Sequence, residues 1–290
     1  MAKILFWGGL GDEIAITGVA REMALRWPTE RVTVEGVRYP ELFLHNPHID
    51  RPGTTDGGKV FRLPAAPNNA IGNLVHAYAQ FVGLPAVSSG ESDLFFTLEE
   101  LRHAHAEILG APGQPVVAID TWAFWPSRRW AFERFAAVAT HLQARGYRVI
   151  ELGNSYPDVA GIRRTQRLDL PASQCLLDRL TIRETAAVLA HCQGFVGNDS
   201  GLAHLAAAVR TPAVPVMALT PWYARAGRFT FPAFSLQADC GACHHACVRP
   251  PHESCLGSLQ ASDVIATFEA IPETFRRHGE PFVVLPPEAR

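Results

Sequence analysis

The chain has 290 residues, enough for two domains that each bury a core, and its 48% apolar and 19% charged content is that of a globular protein. A formal net charge of -2 gives no electrostatic basis for binding nucleic acid or an anionic membrane surface. No run approaches the roughly 18 apolar residues of a membrane helix, and Ile4 to Trp7 is too short for a signal peptide, so a cytoplasmic protein without a transmembrane segment is expected.

Lys3 to Trp7 reads as a short buried strand that meets Gly8-Gly9-Leu10-Gly11-Asp12 and then a helix to about Trp27, with Ile16, Val19, Ala20, Met23 and Trp27 on its apolar stripe. A glycine turn between strand and helix suggests a dinucleotide site, with Glu35 placed to meet a ribose. The fingerprint fails, because after Gly9 and Gly11 the third glycine falls on Ile14. Asp12 has two readings: the N-cap of this helix, or a carboxylate that the bare Gly9 and Gly11 backbone lets a substrate hydroxyl approach.

Arg31 to Val37 is a second expected strand, and Pro40 to Ile49 a short helix with a turn. Asn69 to Val82 has helical spacing, with Ile71, Leu74, Val75, Tyr78 and Val82 on one side. Phe95, Phe96 and Leu98 suggest a strand, and Glu99 to Leu109 another helix. Gly110-Ala-Pro-Gly-Gln-Pro115 is rich in turn formers and divides the chain into expected domains of residues 1–112 and 113–290.

The second half alternates again: strand Val116 to Ile119, helix Ala131 to Arg145, strand Tyr147 to Leu152, helix Ile182 to Cys192, strand Phe195-Val196, helix to Val209, strand Ala213 to Leu219. Such alternation predicts an α/β protein with a parallel, doubly wound sheet in each half and a ligand cleft between the carboxyl ends of their strands. Asp12 and Asp199 would then face each other across that cleft.

Gly197-Asn-Asp-Ser-Gly-Leu-Ala-His204 turns from the strand into the helix to Val209. Leu202, Leu205, Ala206 and Val209 form the buried stripe, so Ser200 and His204 point away from it. Free N–H groups at Ser200, Gly201 and Leu202 describe an anion site, phosphate being the usual anion. A capped helix with an outward His is the plainer alternative. Downstream, Cys240-x2-Cys243-x3-Cys247-x7-Cys255 suits a closed tetrahedral site for structural zinc or iron, with His244, His245 and His252 as alternative ligands; reduced thiols in a loop are the other reading.

Gly11-Asp12, Arg128-Arg129-Trp130 with Glu133-Arg134-Phe135, the Asp199-Ser-Gly-x-x-His204 element and the cysteine cluster occur in an order that resembles glycosyltransferase family 9, the heptosyltransferase family with the GT-B fold of two Rossmann-like domains. The resemblance implies an inverting transferase that moves a sugar, typically heptose from ADP-heptose, to an acceptor hydroxyl without a catalytic metal. It makes Asp12 the general base, assigns donor sugar hydroxyls to Asp199, and assigns the diphosphate to Ser200, Gly201, Leu202 and His204. Related protein heptosyltransferases bind iron at a similar cluster. Arg128 stands where the family often has Lys, and Ala131 where it has Pro, so the cation facing the leaving group is Arg128 or Arg129. The acceptor is open: a lipid-linked saccharide, a protein or a small molecule. Two rival readings are a non-catalytic nucleotide-sugar-binding protein of the same fold and an NAD-dependent oxidoreductase.

Overall fold

The computed structural model describes residues 2–6, 8–30, 32–50, 59–63, 73–110, 113–171, 173–217, 227–234 and 255–276. Its first sheet is three parallel strands, β1 (Ala2–Phe6), β2 (Val32–Glu35) and β3 (Lys59–Leu63), in the order β2-β1-β3. β3 is missing from the sequence reading, although Phe61 and Leu63 are buried while Val60 (47% exposed) and Arg62 alternate with them on the open face, the period of two that marks a strand.

α1 (Leu10–Arg26) crosses from β1 to β2. Ile16, Val19, Ala20 and Met23 are fully buried, as their spacing predicts, but so are Glu13 and Thr17. Glu13 accepts the backbone N–H groups of Arg38 (2.7 Å) and Tyr39 (3.0 Å), which fixes the chain where it leaves β2. Burial pushes this carboxyl above its usual range even against those two bonds.

α2 (Leu74–Phe81) packs on α1 and starts at Asn73, whose side chain accepts the His76 N–H at 3.0 Å. The expected earlier start near Asn69 lies outside the described residues. Phe95 and Phe96 are buried but belong to no named strand. Thr97 instead caps α3 (Leu98–His103): its hydroxyl accepts the Glu100 N–H at 3.2 Å, and the Glu100 carboxylate accepts the Thr97 N–H at 2.7 Å. This capping box begins a helix where the apolar run alone suggested a strand. A π-helical turn, Ala104–Leu109, continues α3 to Gly110.

The second sheet has six parallel strands, and the helices between them follow in chain order. They are β4 (Val116–Asp120), α4 (Phe132–Ala144), β5 (Arg148–Glu151), β6 (Gln174–Cys175), α5 (Ile182–Ala190), β7 (Gly194–Asn198), α6 (Gly201–Ala208), β8 (Ala213–Met217) and β9 (Ala233–Phe234). α7 (Cys255–Ser258) and α8 (Ala261–Glu269) follow. Strand order is β6-β5-β4-β7-β8-β9, so the winding reverses between β4 and β7. Ligands bind outside the carboxyl ends of strands at such a reversal.

Side chains alternate across this sheet. Val117, Ile119, Val149, Val196 and Val214 pack with Trp130, α4 and α8 on one face. Val116, Ala118, Ile150, Phe195 and Ala213 join α5 and α6 on the other, in a core that runs without a break through α1, α2 and β1 of the first sheet. The two sheets are therefore joined by shared apolar contacts, with α1 on α6 and α3 on α5.

Candidate active site

The carboxyl ends of β4 and β7 carry Asp120 and Asn198-Asp199-Ser200. Asn198 is fully buried, and its Oδ1 accepts the Trp130 N–H at 2.8 Å. Trp130 is anchored in turn by its Nε1–H to the Leu259 carbonyl (2.9 Å) and by edge-on packing with Phe135. The loop after β4 is thus pinned to β7, which brings Arg128 over the start of α6. Its Nε lies 3.5 Å from Asp199 Oδ2, and Nη1 donates to the Asp199 carbonyl at 3.5 Å.

Arg129 is held differently. Its guanidinium stacks 3.5 Å above the Trp122 ring and donates to the Ala123 carbonyl (2.8 Å) and to Asp158 (2.6 Å). The structure therefore brings Arg128, Asp199 and Ser200 together and sets Arg129 apart from them.

Ser200 is the N-cap of α6, yet its side chain makes no cap hydrogen bond. The hydroxyl donates instead to Asp120 Oδ2 at 3.4 Å. This differs from Thr97 and from Thr181 of α5, which both close capping boxes. Leu202, Leu205, Ala206 and Val209 are buried as expected. Asp120, by contrast, is absent from the sequence reading, which ends the strand at Ile119. Burial pushes its carboxyl up to about 6, against the Arg164 guanidinium and the Trp122 N–H. Its signal is position at the winding reversal, visible only once strand order is known.

Asp12 sits at the third position of α1, so it is not the N-cap; Gly9 is. Its Oδ2 accepts the Gly9 N–H at 3.0 Å, and Oδ1 accepts the Tyr78 hydroxyl at 2.9 Å. Each oxygen keeps a second lone pair for a substrate hydroxyl. Tyr78, expected as an apolar contact of α2, is fully buried with its ring edge-on to Phe6 and supplies a polar tip to Asp12.

The starts of α1 and α6 touch. A Cβ on Gly11 would lie 2.7 Å from His204 Cδ2, and a Cβ on Gly201 would lie 2.7 Å from Leu10 Cβ. The bare backbone of Gly201 here admits Leu10. His204 also lines a crevice with Asn73, Gly90 and Glu91. Glu35, the candidate ribose contact of a dinucleotide site, pairs with Lys3 at 2.9 Å. Cys240, Cys243 and Cys247 lie outside the described residues; Cys255 opens α7, whose neighbour Leu256 is buried in the second core.

The sequence profile of Glycosyltransferase family 9 (heptosyltransferase) matches residues 60–226, more than half of the chain. The chain belongs to glycosyltransferase family 9. Within the matched span lie Arg128, Asp199, Ser200 and His204, while Asp12 and the cysteine cluster lie outside it. Lipopolysaccharide heptosyltransferase 3 of Escherichia coli is 34% identical over 131 residues, which is 42% of this chain and 37% of that relative. The aligned segment thus spans little more than a third of the relative's length.

Among solved structures, the family 9 glycosyl transferase from Veillonella parvula DSM 2008 superposes with a TM-score of 0.72 at 14% identity, covering 92% of this chain and 95% of that one. The iron-containing dodecameric glycosyltransferase TibC from enterotoxigenic E. coli H10407 gives 0.67 at 17% identity over 92% and 74% of the two chains. TibC has also been solved in complex with ADP-D-beta-D-heptose. These likenesses establish the fold, which is the GT-B arrangement expected of a family 9 chain. Among the described residues, no helix is long and apolar enough to cross a membrane.

Proposed function

We propose that this chain is an inverting glycosyltransferase that moves heptose from ADP-heptose to an acceptor hydroxyl, with Asp12 as the general base. The observation that carries the reading is the meeting of α1 and α6, which gathers Asp12 with Tyr78 on one side and Arg128, Asp199, Ser200 and His204 on the other. Asp12 takes the proton of the acceptor hydroxyl as its oxygen attacks the anomeric carbon from the face opposite ADP. ADP leaves with growing negative charge at the N-terminus of α6, where backbone N–H groups and the Arg128 guanidinium favour the transition state over the ground state. Asp199 holds donor sugar hydroxyls, and its pairing with Arg128 keeps both side chains in place before the donor arrives. A structural iron or zinc at Cys240, Cys243, Cys247 and Cys255 belongs to the same reading, supported by the chemistry of four closely spaced thiols, and metal analysis of the purified protein tests it.

The deciding experiment pairs ADP binding with transfer. Asp12→Asn should lower the transfer rate by about 10²–10⁴-fold and leave the ADP dissociation constant within about twofold. Full transfer activity in that variant removes Asp12 from the role. Binding of ADP without transfer by the unmodified protein, across lipid-linked, protein and small-molecule acceptors, supports instead a nucleotide-sugar-binding protein of the same fold.

A further inference from the structure

Three charged side chains are buried together beneath the start of α6. Asp120 ends β4, Glu151 ends β5 and Arg164 comes from the segment after β5; they are 4%, 0% and 7% exposed. One guanidinium serves both carboxylates. Arg164 Nη2 pairs closely with Glu151 and donates to the Thr121 hydroxyl at 2.6 Å, while Nη1 reaches Asp120 Oδ1 only at 3.3 Å. Glu151 gains a further bond from the Leu168 N–H at 2.8 Å. Asp120 Oδ1 also takes the Trp122 N–H at 3.0 Å. Its Oδ2 receives, among the described residues, the Ser200 hydroxyl at 3.4 Å.

The trio therefore carries one uncompensated negative charge in a site with little water, and Asp120 holds the weaker portion of the cation. Of the other groups facing this point, Asp199 and Arg128 pair with each other, and His204 lies a turn further along α6 against Gly11. Burial already holds the Asp120 carboxyl near the neutral range, at about 6. A phosphate at the N-terminus of α6 would bring further negative charge beside Oδ2 and compete for the Ser200 hydroxyl. Both effects favour the neutral form of Asp120.

We propose that Asp120 takes up one proton from solvent as the donor diphosphate binds, and that its new O–H donates to Ser200 Oγ so that the Ser200 hydroxyl donates onward to a phosphate oxygen. The only bond formed is O–H on Asp120 Oδ2. Asp120 is in this sense a positioning residue that acts through Ser200. The assignment rests on the nucleotide-diphosphate-sugar reading of the site.

Isothermal titration of the full chain with ADP-heptose, in two buffers of different ionisation enthalpy, tests it. Net uptake of up to about one proton is expected near neutral pH, and the dissociation constant should rise by up to about tenfold per pH unit as pH climbs above about 6. Asp120→Asn should bind ADP-heptose with neither effect. Ser200→Ala, which keeps the buried trio, should bind with reduced uptake. Tight binding by the unmodified protein with no proton uptake overturns the inference and leaves the donor reading standing. Uptake that persists unchanged in Asp120→Asn assigns the proton elsewhere and overturns the inference. No binding of ADP-heptose at any pH by the folded protein overturns the donor reading, and the inference with it.

Discussion

Consecutive arginines at 128 and 129 illustrate how little a side chain's type says about its use. Arg128 projects over Asp199 with 16% of its side chain exposed, at the point where the leaving diphosphate is proposed to sit. Arg129 stacks on Trp122 and closes on Asp158, so its charge and its donors serve the loop. Arg128→Ala should therefore weaken ADP binding by about tenfold to a hundredfold, the range for a lost hydrogen bond to a charged group. Arg129→Ala should lower the melting temperature and leave ADP affinity nearly unchanged. Titration with ADP and a thermal melt of each variant check both halves; equal losses of affinity would mean that the two cations share the donor. The sequence left the choice between them open, because it is made by Asn198 and Trp130 holding the loop from 68 positions apart.

At the scale of elements, the first turns of α1 and α6 meet, and the proposed site lies where they do. Gly11 makes room for His204, and Gly201 makes room for Leu10, so each helix start supplies the gap that the other fills. Gly11→Ala would drive a methyl group into the imidazole ring. The contact would have to open, at a cost of about 1–3 kcal/mol in unfolding free energy. Transfer should fall with it, since Asp12 is one residue further along α1. Chemical denaturation together with an activity assay measures the pair, and an unchanged midpoint would show that the two helix starts part freely. The helices themselves were mostly legible, and the buried stripe of α6 falls where its spacing puts it, but the capping boxes of Thr97 with Glu100 and Thr181 with Glu184 went unread, and at Thr97 the apolar run suggested a strand instead. The mutual packing of α1 and α6 was not legible, because small residues leave no periodic signal.

Among the described residues, the two sheets with their helices are held together by charge as well as by a continuous core. Asp93 lies between Arg21 of α1 and Arg210, the residue two past the end of α6, and pairs with both. Arg183 of α5 reaches across to Glu100 and to the Phe95 carbonyl. Asp93→Ala would remove the carboxylate that half-buried Arg21 and buried Arg210 share, leaving Arg21 on Glu22 and Arg210 on Glu91, a change of about 1–3 kcal/mol against folding. A single thermal transition, shifted down as a unit, is expected because one apolar core includes residues of both sheets and of α1 and α6 between them. Two separated transitions in the variant would show that the halves fold independently.

What the sequence determined by itself is whatever a short window contains. It set the alternation of strands and helices that makes two parallel sheets, the buried stripes and the Asp199-Ser-Gly-x-x-His204 element inside the span that matches the family. The tertiary structure decided which of those residues lie together. Asp12 met Tyr78, 66 positions away, and Ser200 met Asp120, 80 positions away. It also placed Asp12 at the third position of α1, bonded to the Gly9 N–H and the Tyr78 hydroxyl, and gave Asp120 its burial at the reversal of strand order. The division has a physical cause. Backbone hydrogen bonding and side-chain period are fixed within one or two turns of chain, whereas a buried group's charge, partners and proton depend on which distant segments exclude water from it.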